Sequence, residues 1–178
     1  MKMEKSILGV VLLLSVGPAT AADWSAHGFL GSLGTDRLGG IGSSKSTLGV
    51  GVDFETPSID ASARFWRLAE KLDDDAGISP ETGGTIEAGR RLGPWRAGVA
   101  VVQADGQRFN YASIGIHARH ARLDWWVPLG GDSRFGLRAE LRAPLAGGWT
   151  ARIHYEYFGR QDPDIKISHV GMGIGRTF

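Results

Sequence analysis

Two stretches carry charged and imidazole side chains at a spacing that could do chemistry. Arg138, Glu140 and Arg142 alternate with Leu137, Ala139 and Leu141. Arg152, His154 and Glu156 alternate in the same way with Ala151, Ile153 and Tyr155. A strand has a side-chain period of two, so each charged trio shares one face and its apolar companions take the other. A Ser–His nucleophilic pair needs both members on one face. The same-face neighbour of His154 is Glu156, and a carboxylate cannot stand in for a serine hydroxyl as an acyl acceptor with a stable ester product. Two facing trios of mixed charge are instead expected to pair as a ladder of ions between adjacent strands.

Other chemistry is thin. The chain has no cysteine, which removes disulfides and thiolate metal sites. Asp73, Asp74 and Asp75, and Asp162 with Asp164, fall in expected loops. A divalent ion could bind there, but a metal site needs converging ligands rather than a run, so solvated loop charge is the expectation. The glycines from Gly171 to Gly175 are followed by no helix that could present its N-terminus to a phosphate. No cofactor is expected.

The elements that would hold these residues read as strands throughout. The last one, Ile167 to Phe178, puts Val170, Met172, Ile174 and Phe178 on one parity and His169, Gly171, Gly173, Gly175 and Thr177 on the other. Alternation of this kind predicts further strands at Asp23–Leu33, Thr47–Glu55, Ile59–Leu68, Thr82–Leu92, Trp95–Gln103, Phe109–His117, Arg122–Pro128, Arg134–Ala143 and Trp149–Phe158. Long loops are expected at Gly34–Lys45, Ala69–Glu81 and Gly159–Lys166, and a short one at Ala104–Arg108. The weakest joint is Ala118 to Ala121: if no turn forms there, the count falls from ten strands to eight.

The N-terminus reads independently of this. Lys2 and Lys5, the apolar run Ile7–Val16 and Ala19-Thr20-Ala21 have the layout of a secretory signal peptide. Residues 1–22 are therefore expected to be removed, and 23–178 to form one domain. Loss of Lys2, Lys5 and Glu4 would turn 20 basic and 19 acidic side chains into 18 of each. No basic excess then points to nucleic acid. Only five of the 20 cations are lysine, and arginine suits ion pairs held inside a structure.

The charges decide which face is inside. One parity gathers Asp53, Glu55, Arg64, Glu87, Arg91, Asp124, Arg138, Glu140, Arg142, Arg152, His154 and Glu156. The opposite parity is apolar, and no helix-period segment exists to cover it. A closed sheet with the charges paired in its lumen and lipid outside satisfies both faces. Trp24, Trp95, Trp149 and Phe178 then fall at the periplasmic strand ends and Tyr157 at the other, as interfacial girdles require. The fold class expected is all-β: an antiparallel up-and-down transmembrane β-barrel of 8 or 10 strands after an N-terminal signal peptide.

From Tyr155 onward (YEYFGRQDPDIKISHVGMGIGRTF) the chain resembles the last two strands of small outer-membrane barrels of the OmpA/OmpX type, which end on a terminal Phe recognised for assembly. Arg176 departs from that pattern, which usually carries Tyr there. The resemblance implies outer-membrane localisation, contact with lipid and lipopolysaccharide, insertion by the barrel assembly machinery with periplasmic chaperones, and a monomer. Phe178 would be the assembly signal. Ile153-His154-Tyr155 with Gly159 and Gln161 also resembles the catalytic segment of lipid A deacylase barrels, but Glu156 stands where that family has its serine. A structural or surface-interaction role is expected, with a narrow pore for small solutes as the alternative.

Overall fold

The computed structural model describes residues 22–37, 43–69, 81–161 and 165–178. The expected signal segment and the acidic positions Asp73–Asp75 and Asp162–Asp164 lie outside them. Ten antiparallel strands form a closed barrel: β1 (Asp23–Arg37), β2 (Ser43–Glu55), β3 (Ile59–Leu68), β4 (Thr82–Leu92), β5 (Trp95–Ala104), β6 (Gln107–His117), β7 (Ala121–Pro128), β8 (Gly136–Pro144), β9 (Trp149–Arg160) and β10 (Ile165–Thr177). Every strand pairs with its neighbours in sequence, and β10 returns to β1 through 13 register pairs from Ser25↔Thr177 to Arg37↔Ile165. The Phe178 backbone N–H extends that seam by donating to the Trp24 carbonyl at 2.8 Å. Closure leaves no strand edge unpaired, which is the condition for a sheet to stand in hydrocarbon.

Ten strands rather than eight follow from the joint at Ala118. The Ala118 N–H donates to the Ala121 carbonyl at 2.8 Å, so β6 and β7 fold back on one another and the side-chain parity is kept. Three expected loops are shorter than their composition suggested. Gly34–Arg37 continue β1 and Ser43–Lys45 open β2, with Gly34 paired to both Ser44 and Ser168. Glycine and serine read there as loop, but their backbone groups find ladder partners on both sides, and that outweighs propensity. Gly159–Lys166 contracts likewise, since β9 runs to Arg160 and β10 starts at Ile165. Ala104–Arg108 becomes a two-residue turn, with Asp105 (φ 43°) and Gly106 (φ 78°) both left-handed, the geometry of the tight hairpin. The Asp105 carboxylate accepts from the backbone N–H groups of Glu81 (2.8 Å) and Thr82 (3.0 Å), which fastens the start of β4 beside it.

The barrel is apolar outside and charged inside. Among the described residues, 23 large apolar side chains are exposed, Leu30 and Met172 among them at 66% and 64%. Trp24, Trp95, Trp149 and Phe178 stand exposed at the end of the short turns. This inversion of a soluble barrel is what lipid as the outer solvent requires.

Inward glycines have a specific task. Gly49 lies directly across from Phe29, Gly83 from Trp66, Gly115 from Asp124, Gly136 from Trp126 and Gly171 from His154. A Cβ at any of the five would run into the facing side chain; at Gly136 it would stand 2.8 Å from the Trp126 ring. Each glycine is thus a seat on which a large side chain of the next strand lies across the wall. Gly28 on the outer parity is different, since the nearest atom to its Cβ would be 3.9 Å away. Gly49→Val is therefore expected to abolish or severely reduce the yield of folded barrel on refolding into lipid vesicles, followed by tryptophan fluorescence, while Gly28→Val refolds like the parent. Equal yields would refute the seating role.

Candidate functional site

The lumen has two zones. Toward the turn end it is filled by ions. Arg138 is fully buried, donates to Glu87, and bonds Ser62 Oγ at 2.9 Å and Glu140 Oε2 at 2.9 Å. Arg64, on the far side of the barrel, donates to Glu140 and to Glu156 Oε1 at 3.1 Å. Arg152 reaches Asp53, Ser25 Oγ (2.7 Å) and, more distantly, Glu140 (3.5 Å). Arg142 spans Glu140 (2.7 Å) and Glu55. Glu140 thereby accepts from four guanidinium groups. Arg142 and Glu55 are only half-buried and close the network at its solvent side, where Arg91 stands 3.7 Å from Glu55.

A second cluster joins the first through Glu87, which accepts from Arg122 Nη2 at 2.7 Å and from the Trp126 indole N–H at 2.8 Å. Arg122 also donates to Asp124. Arg96 bonds Asp60 at 2.6 Å and Ser113 at 2.8 Å, and lies 3.6 Å from Asp124. His117 Nε2 sits 3.1 Å from Asp124. Seven arginines (64, 91, 96, 122, 138, 142, 152) face seven carboxylates (53, 55, 60, 87, 124, 140, 156) among the described residues.

Toward the loop end the filling is apolar. Leu33, Trp66, Val102, Phe109, Tyr111, Trp126, Phe158 and Ile167 are buried in one cluster. Phe109 and Phe158 pack at 5.7 Å between ring centroids, and Tyr111 stacks on Trp126 at 5.6 Å. Three imidazoles mark the boundary between the zones. His169 stacks on Trp66 (5.5 Å) and its Nε2 lies 2.9 Å from Thr47 Oγ1. Phe29 meets His154 edge-on at 4.7 Å, and His154 and His169 are 5.2 Å apart. His27 Nδ1 is 3.6 Å from Asp53 Oδ2.

The six residues singled out for a ladder all sit in this lumen, with Arg138↔Glu156, Glu140↔His154 and Arg142↔Arg152 directly paired across β8 and β9. Within the set Glu140 accepts from Arg138, Arg142 and Arg152. Members of the set also pair with Asp53, Arg64 and Glu87 on β2–β4. Among the described residues, no hydroxyl forms a hydrogen bond with His154. Its Nε2 has no hydrogen-bond partner among the described residues, Glu156 is bound by Arg64, and Ser168 lies on the outward parity with its hydroxyl toward the Gly34 carbonyl at 3.5 Å. Among the described residues no group of three metal-ligating side chains could hold an ion.

The inward set assembled from sequence left out Asp60, Arg96, Arg122 and His27, whereas His169 already lay on the glycine parity of the last strand. The signal was present. Asp60 shares parity with Ser62 and Arg64, Arg96 opposes the exposed Trp95, and Arg122 opposes Leu123.

The comparisons agree with the architecture. No family model and no curated relative matches the chain. Solved structures match in fold. Ail, the attachment invasion locus protein of Yersinia pestis, is 13% identical with a TM-score of 0.50, over 89% of this chain and 100% of that one. The translocator domain of the autotransporter NalP from Neisseria meningitidis is 14% identical with a TM-score of 0.38, over 98% and 94%. At 13% identity the likeness to Ail shows the fold alone, a barrel of the kind found in outer membranes.

Removing one member of a buried pair leaves its partner charged and unmatched, at about 3–5 kcal/mol. Arg138→Ala is expected to lose that much in urea titrations of the refolded barrel, and Lys45→Ala, near the loop end, less than about 1 kcal/mol. Equal losses would mean that the lumen ions do not hold the barrel together.

Proposed function

We propose that this chain is a non-conducting outer-membrane barrel of the cell envelope, structural or engaged in surface contact, and related in design to the OmpA/OmpX type. The observation that carries the reading is the reach of Arg64 and Arg138. One leaves β3 for Glu140 and Glu156 on β8 and β9, and the other leaves β8 for Glu87 on β4. Among the described residues, guanidinium groups reach across the bore from both sides and packed aromatic rings lie next to them, so the lumen is obstructed by side chains. That argues against the narrow pore. The absence of a hydroxyl beside His154 argues against the deacylase.

The remaining assignments rest on this reading. The apolar exterior meets lipid and lipopolysaccharide, the protein is a monomer, and Phe178, paired to Trp24 at the seam, serves as the signal to the barrel assembly machinery after delivery by periplasmic chaperones. The strand ends Arg37 and Ser43, Leu68 and Thr82, and Arg160 and Ile165 lie at one end of the barrel, and that end faces the outside of the cell. What its name says of Ail, attachment and invasion, is a role of that kind.

Planar-bilayer recording tests the reading. The purified barrel is expected to give no steady conductance above that of a protein-free membrane. A steady ohmic step at constant voltage would overturn the filled-lumen account and establish a pore.

A further inference from the structure

The outer wall carries a groove. It occupies about 930 Å³, within the range of small-molecule sites, and crosses β1–β5 from Arg176, Trp149 and Phe178 at the turn end to Gln103 and Asp105 at the loop end. Strand register explains it. Ile174, Gly28, Val50, Phe65, Gly84 and Gln103 form one outward row across six strands. The adjacent row begins at Arg176 and includes Ala26 and Ala63. Absent or one-carbon side chains at residues 26, 28, 63 and 84 lower the wall along this path. Larger outward side chains at Val50, Val52, Phe65 and Ile86 line the groove between these low points.

The charge at one end says what fits. Arg176 is exposed on the apolar parity, level with the aromatic ring of the turn end, and its guanidinium lies 5.9 Å from both the Trp149 and Phe178 ring centres. Among the described residues it has no carboxylate within 4.0 Å. A cation on the lipid side of a barrel needs an anion at headgroup depth, and a guanidinium matches a phosphate in shape as well as charge. An apolar channel leading from that cation into the hydrocarbon layer matches the acyl chains below the same phosphate.

We propose that the groove is a binding site for one anionic glycerophospholipid of the periplasmic leaflet, its phosphate on Arg176 and its chains along Gly28, Val50 and Ala63. This rests on the barrel standing in a bilayer with its turn end toward the periplasm. Native mass spectrometry of the refolded barrel in mild detergent, titrated with phosphatidylglycerol, tests it. The parent should retain one lipid. Arg176→Gln should weaken retention at least tenfold, and diacylglycerol, which lacks the phosphate, should bind the parent as weakly. Gly28→Leu, which adds a side chain where there is room for it, should fold and lose the lipid.

If both variants fold, as judged by their heat-dependent gel mobility, and retain phosphatidylglycerol like the parent, the site is refuted while the membrane reading stands. Preferential retention of lipopolysaccharide would overturn the choice of leaflet. A dimer lost in Gly28→Leu would show that a second copy, not lipid, fills the groove.

Discussion

Charges withheld from water must neutralise one another, and the interior of this barrel is arranged around that requirement. Of the seven arginines and seven carboxylates, all but Arg91, Arg142 and Glu55 are buried, and each buried one would cost several kcal/mol if left unpaired. None is alone. Glu140 takes bonds from Arg64, Arg138, Arg142 and Arg152, and Glu87 from Arg122, Arg138 and Trp126. Arginine suits this role because its planar fork can serve several acceptors at once, whereas lysine offers a single point charge. The composition follows: lysine is scarce in the chain, and the two within strands, Lys45 and Lys166, lie near the loop end rather than in the ion network.

Width imposes the second condition. Side chains fill an eight-stranded barrel readily, and ten strands leave more to fill. Long guanidinium side chains bridge the bore at one end, and stacked rings occupy it at the other. Glycine across from Phe29, Trp66, Trp126 and His154 lets those rings lie against the wall instead of colliding at the axis. The glycine content and the aromatic content of the lumen are therefore one feature, read on two adjacent strands.

Much of this was legible in the chain. Strand parity placed Arg138, Glu140, Arg152, His154 and Glu156 inside, because every β-residue must choose one of two faces. Near-equal charge implied that the inside faces would pair. Register was not legible. Nothing in the local sequence says that Arg64 meets Glu140, since that contact depends on closure of the whole ring and on the stagger between strands. The same ignorance hid the glycine seats: Gly49 and Phe29 are partners only once β1 and β2 are aligned. Composition misled at Gly34–Arg37, where small polar residues resemble a loop but pair on both sides. The groove at Gly28 likewise exists only in register, as a path across strands that no single segment contains.

The central claim is that the apolar face of a closed ten-stranded barrel meets lipid and the charges are sealed within. Fractionation combined with gel mobility tests it most directly, by extracting the protein from isolated outer membranes in mild detergent and comparing unheated with boiled samples. The account predicts an outer-membrane protein whose unheated band shifts relative to the boiled one, because a ring without free edges resists unfolding by cold detergent. A soluble periplasmic product with a single mobility would contradict it and put the apolar face inside.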